Sequence, residues 1–262
     1  MELSTAYRTF ELLLGWSLLL QTLEYLHIQR LDRIADWQIQ RDEVPSSPPG
    51  IRAVLDVLLQ PQAYTALLVL RLVLALWLML AGLGLGGALT LFLIALILLV
   101  RWRGAFNGGS DFMTLVGLTG LLLAQVIGTV LQPETGWRAG LWYVTLQTVS
   151  SYFVSGWVKL LRPEWRSGAA MPVFLDTGIY GPLPASSLYR KPAVAWLLTW
   201  GFTVWEGCFV LALLDPRLAL VFCAVGAFFH FMVFWYFGLN RFFWAWLASY
   251  PAMVYCAQVS FA

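Results

Sequence analysis

The sequence is short of charge. Of its 262 residues, 11% are Asp, Glu, Lys or Arg, whereas 60% are hydrophobic. Soluble domains carry about 25% charged residues, so a water-soluble globule is excluded. Lysine is scarcer still, with Lys159 and Lys191 the only two. Two histidines, His27 and His230, are too few to suggest a metal or haem site. The three cysteines, Cys208, Cys223 and Cys256, lack metal spacing, lie in apolar segments and read as small packing residues. There is no Gly-x-Ser-x-Gly elbow and no phosphate loop. No basic tail or interleaved aromatic patch points to nucleic acid. The apolar runs over 67–80 and 91–100 do not alternate, which argues against β-barrel strands. No signal-peptide pattern opens the chain, because Glu11 and Glu24 interrupt the first apolar run, and that helix is expected to be retained.

What the sequence has is length of apolar run. Several runs reach the ~20 residues needed to cross a hydrocarbon core of about 30 Å. Backbone polar groups in lipid must be satisfied within the segment, so these runs predict helices. The expected fold is all-α: a polytopic integral membrane bundle of about seven or eight transmembrane helices. A single domain is expected over 1–262, with no separate soluble domain and no internal repeat. Helices are expected at 6–28, 63–83, 86–103, 111–132, 137–161, 192–214 and 217–238. A last segment, 242–260, holds Pro251 and reads as a broken or short helix. Two connections are long. The first, 29–62, is charged and contains Pro45-Ser-Ser-Pro-Pro-Gly, which is turn chemistry. The second, 162–191, mixes arginines with Phe174, Tyr180 and Tyr189, the pattern of a segment lying at the interface or of an ordinary loop.

Basic residues set the orientation. Arg30, Arg33, Arg41, Arg52, Arg101, Arg103, Arg162, Arg166, Arg190, Lys191 and Arg241 fall on one side of such a bundle, against Arg8, Arg138 and Arg217 on the other. That bias places the long connections in the cytoplasm and the N-terminus outside. Together with the compact loops it suggests a bacterial inner membrane. The fourteen tryptophans suit interfacial belts, or the walls of a pocket for a flat ring.

Polar residues inside apolar segments are functional candidates by default. Lys159 is the sharpest. A desolvated lysine can act as a base, but a lysine near a helix end can also snorkel to the headgroups. Glu206 lies mid-helix and must be protonated or paired, with Arg71 or Tyr143 as a donor. Asp111, Arg71 and His230 complete the set. Arg71–Glu206 or Lys159–Asp111 is a possible intramembrane pair, equally able to serve as structural glue.

Three stretches carry a resemblance: Phe106-Asn-Gly-Gly-Ser-Asp-Phe-Met, Ser151-Tyr-Phe-Val-Ser-Gly-Trp-Val-Lys-Leu-Leu-Arg-Pro-Glu-Trp-Arg-Ser-Gly and Gly238-Leu-Asn-Arg-Phe-Phe-Trp-Ala-Trp. Together they resemble the horizontally transferred transmembrane domain family, which includes the vitamin K-dependent gamma-glutamyl carboxylase. The resemblance covers most of the chain, and its middle motif is the specific one. It implies that Lys159 is the base that deprotonates a reduced quinone. Trp165 and Asn107 then belong to the motifs around the site. The sequence departs from the carboxylase in having no histidine near Asn107, no large soluble domain, and a basic-residue bias opposed to lumenal chemistry.

Three functions follow as expectations. The first is a membrane enzyme of carboxylase-like type, acting on a reduced quinone or another lipid-soluble ring. Lys159 is its base, with Asp111, Glu206, His230, Asn107, Arg71 and Trp165 as orienting or binding groups. The second is a non-catalytic membrane subunit or assembly factor of a larger complex, with other membrane protein subunits as partners. The third is a transporter with a midplane site around Glu206, for which no inverted repeat is found.

Overall fold

The computed structural model describes residues 1–31, 37, 41, 48–102 and 108–260, and among these there is no strand. Asn107 lies outside the described residues. The helices are α1 (Leu3–Leu31), α2 (Pro49–Leu58), α3 (Pro61–Ala81), α4 (Leu85–Trp102), α5 (Gly108–Val130), α6 (Pro133–Leu160), α7 (Pro163–Arg166), α8 (Ala170–Leu175), α9 (Pro192–Gly207), α10 (Pro216–Phe237), α11 (Asn240–Leu247) and α12 (Tyr250–Val259). Two 3₁₀ turns, Leu188–Arg190 and Phe209–Leu214, flank α9. The all-α class is as expected. Among the described residues four helices, α3, α4, α5 and α10, are long and apolar enough to cross a membrane, which makes the chain an integral membrane protein by the length of its apolar segments.

The helix starts follow proline. Pro49, Pro61, Pro133, Pro163, Pro192, Pro216 and Pro251 each occupy the first turn of a helix, where the missing N–H removes no intrahelical bond. Two helices end on glycine in a left-handed or extended positive-φ conformation, α3 at Gly82 (φ 77°) and α10 at Gly238 (φ 70°). At the first of these ends, Arg8 of α1 donates to the carbonyls of Leu78 and Met79 and pairs with buried Glu11 at 2.5 Å. A guanidinium there satisfies orphan carbonyls and meets the negative end of the helix dipole.

Helices α5 and α6 pack through small residues. A Cβ added to Gly136 would stand 2.8 Å from the Gly128 Cα, and one on Gly140 would stand 2.9 Å from the Ala124 Cβ. Gly120, Ala124 and Gly128 recur every four residues, the spacing that lets membrane helices approach backbone to backbone. One apolar cluster, with Phe10, Leu14, Leu78, Leu91, Leu118 and Leu141, joins α1 to α3–α6.

One sequence expectation is corrected. The single helix over 192–214 is instead α9 followed by a 3₁₀ turn, with the break at Cys208, directly after Gly207, a poor helix former. The segment 242–260 is broken as expected, and its second half is core: most of α12, including Pro251, Met253 and Cys256, is buried.

Candidate functional site

Helix α6 places Ser151, Tyr152, Ser155 and Lys159 on one face at three- and four-residue intervals, so they project together. Helix α9 runs antiparallel beside it, and Gly156 lets the two backbones close at Gly207. Lys159 Nζ there meets Glu206 Oε2 at 2.5 Å and donates to Ser155 Oγ at 2.8 Å; Ser155 Oγ donates in turn to Glu206 Oε1 at 3.2 Å. The pair is largely buried, with side-chain exposures of 14% for Lys159 and 5% for Glu206. Two rings flank the ammonium, Trp165 at 5.4 Å and Phe202 at 4.8 Å from Nζ to centroid.

The connection 161–191 explains why Lys159 turns inward although it lies near the end of its helix. α7 and α8 fold back over this end. Gly168 (φ 81°) sits against the backbone of Ala195 and Trp196, and Trp200 Nε1 donates to the Arg166 carbonyl at 3.0 Å. Ile179 N–H donates to the Tyr236 carbonyl at 3.1 Å, tying the segment to α10 as well. The segment exposes Val173, Ile179, Tyr180 and Leu188 on its outside, the apolar outer face expected of a segment lying at a membrane interface.

Between α6, α9, α10, α11 and this segment lies a cavity of about 530 Å³. Lys159, Glu206, Ser155 and Ser151 line its polar side, while Trp165, Phe174, Phe202, Phe229, Phe237, Phe242 and Trp246 supply its walls. Ligand pockets in proteins run from roughly 300 to 1,000 Å³ and are mostly apolar with a few convergent polar groups. His230 also lines it. Its Nε2 is 2.6 Å from Tyr152 Oη, which is 2.8 Å from Tyr250 Oη, and its ring stacks on Trp246 at 4.8 Å between centroids. Nδ1 of His230 is buried with no hydrogen-bond partner among the described residues.

The structure thus brings together Lys159, Glu206, Trp165 and His230. Asp111 and Arg71 lie elsewhere. Arg71 donates to Gln21 Oε1 at 2.8 Å and Thr22 Oγ1 at 3.0 Å, while Asp111 lies 3.7 Å from Arg241 Nη1 and within 3.5 Å of Tyr25 Oη. Neither the Arg71–Glu206 nor the Lys159–Asp111 pair forms, because α1 and α11 supply nearer partners for Arg71 and Asp111. Glu206 is satisfied by Lys159 and Ser155, in place of Arg71 or Tyr143. Arg241, counted from sequence among the loop charges, is 1% exposed and pairs with Glu24 at 3.0 Å. Sequence reasoning also missed Tyr152, Tyr250 and Ser155, whose hydroxyls carry no signal in a hydropathy profile; the three- and four-residue spacing of Tyr152, Ser155 and Lys159 was the available clue. Among the described residues no group of three His, Cys, Asp or Glu side chains is placed to hold a metal ion.

No protein-family model matches the chain, and no curated protein or solved structure shows significant similarity to it.

Proposed function

We propose that the chain is a membrane-embedded acid–base enzyme that takes a proton from a lipid-soluble ring held in the cavity, with Lys159 and Glu206 acting as one unit. The single observation behind this reading is that the one lysine within an apolar helix faces a ring-sized aromatic cavity in contact with a carboxylate. A reduced quinone is the ring that the family resemblance implies. For its hydroxyl, the Glu206 carboxylate accepts the proton at Oε, leaving a ring oxyanion and a neutral Glu206, and the Lys159 ammonium holds that oxyanion. Exclusion of water strengthens this electrostatic contact. On this reading the base is the Lys159–Glu206 pair and not a lone amine.

We further propose that α1, α6, α9 with the following 3₁₀ turn, and the α11–α12 unit complete a bundle of seven or eight spans, in a bacterial inner membrane. The connections 29–62 and 162–191 face the cytoplasm on the basic-residue bias. Cysteine labelling from outside intact cells should miss both connections, and efficient labelling of either reverses the topology.

A second reading is favoured by one feature. Lys159 and Glu206 satisfy each other's charge at 2.5 Å, as a purely structural pair in a non-catalytic subunit would. Glu206→Gln separates the two. The amide keeps the shape and an acceptor for Lys159 Nζ but cannot take up a proton as a carboxylate does. An enzyme should lose its growth or complementation phenotype at normal expression. Full activity of Glu206→Gln ends the acid–base reading and leaves the subunit in front.

A further inference from the structure

Helices α9 and α10 touch through the rings of Phe202 and Phe229, 4.4 Å apart between centroids. Their order is antiparallel, since Trp205 also meets Phe229 and Phe209 meets Phe222. One turn past the Phe202–Phe229 contact, each helix presents an exposed cavity-lining residue, Leu198 on α9 (40%) and Met232 on α10 (40%). Only two other lining residues are exposed, Phe174 and Tyr189, both on the segment that floors the cavity. All four are apolar or aromatic. Around them the outer surface continues as Leu197, Phe228, Phe231 and Trp235, all exposed. Helix α10 is one of the four long enough to span a membrane, so this face meets acyl chains.

We infer that the cavity has a side mouth between Leu198 and Met232, and that its ligand is a ring-headed lipid whose hydrocarbon tail lies in this mouth. This rests on the reading of the cavity as a ring site. The polar pole at Lys159 and Glu206 lies one turn on the other side of Phe202. A ring seated at that pole has its long axis past Phe202 and Phe229 toward the mouth. Apart from the Tyr189 hydroxyl, the four exposed lining residues suit methylenes, and among the described residues none at the rim that lines the cavity offers a charge to a water-borne ligand. A tail gains little from leaving lipid for such a rim, because both are apolar. The rim therefore selects by shape: it admits a chain that must remain in the bilayer while the ring enters.

The test uses the full chain in lipid nanodiscs with two reduced probes, a decyl-substituted benzoquinol and the same ring without the decyl chain. Binding is measured against probe concentration in the membrane. Leu198→Phe with Met232→Phe narrows the mouth. The decyl probe should lose affinity by roughly tenfold or more relative to the tailless ring, and Leu198→Ala, which widens the rim, should leave that ratio at its wild-type value. An unchanged ratio in the double variant, or equal loss of both probes in a variant with a wild-type unfolding midpoint, overturns the mouth. Failure of the wild-type chain to hold either probe overturns the ring-site reading, and the mouth with it.

Discussion

Gly156 lies backbone to backbone against Gly207. A methyl group on Gly156 would stand 2.8 Å from the Gly207 Cα and 3.0 Å from the Glu206 carbonyl carbon, whereas a Cβ on Gly207 would meet nothing within 4 Å. The contact is thus one-sided. It fixes the distance between α6 and α9 just where Lys159, three residues on from Gly156, reaches Glu206.

Gly156→Ala should therefore force the helices apart, at a cost of about 1–3 kcal/mol for overpacking. Gly207→Ala should be close to neutral, since the space is open and alanine is the better helix former. Thermal unfolding of the two variants in detergent checks the contrast. An unchanged midpoint for Gly156→Ala would show that the crossing is slack.

Lys159→Met leaves the Glu206 carboxylate buried without its counter-charge and should destabilise by roughly 3–5 kcal/mol. Adding Glu206→Leu removes that charge and should recover most of the loss. Activity should stay absent in the double variant; its return with stability would assign the pair to structure alone. Glu206→Gln, which keeps an acceptor for Nζ, should harm folding less than Glu206→Leu in the otherwise natural chain.

Tyr152 carries two hydrogen bonds at one oxygen, to His230 and Tyr250. Tyr152→Phe strands both partners in a buried site and should cost about 1–3 kcal/mol for each group left unpaired. Tyr250→Phe leaves the Tyr152–His230 bond in place and should cost less. Equal midpoints for the two variants would place the stabilisation elsewhere.

Outside the spans, Asp56 on α2 accepts from Arg41 Nε at 2.7 Å and Nη2 at 2.8 Å, and from Trp37 Nε1 at 2.9 Å. The Arg41 contact first, and Trp37 after it, holds this carboxyl below its ordinary range. A depressed folded value adds stability that is present above the unfolded pKa of about 3.9 and disappears as pH falls through the folded one. Hydrogen exchange across α2, corrected for intrinsic rates, should quicken on acidification below about pH 4. Asp56→Asn should flatten that dependence; an identical profile in the variant would remove Asp56 as its source.

Hydropathy alone marked α3, α4, α5 and α10 as membrane-length helices, because the requirement to bury a backbone in lipid is met within each segment and needs no partner. Composition likewise singled out Lys159 and Glu206, since a charge in an apolar run is conspicuous wherever it folds. Which charge meets which was a tertiary matter. Glu206 was free to take Arg71 or Tyr143 on sequence grounds, and Lys159 was free to take Asp111 or the headgroups. The choice fell to the close crossing at Gly156, to the 161–191 segment folded over the end of α6, and to α11, which brings Arg241 to Asp111. Tyr152 and Tyr250, 98 residues apart in the chain, met for the same reason. A hydrogen bond holds only within a few tenths of an ångström, and helix crossings, which a linear pattern of apolar residues does not encode, set distances on that scale.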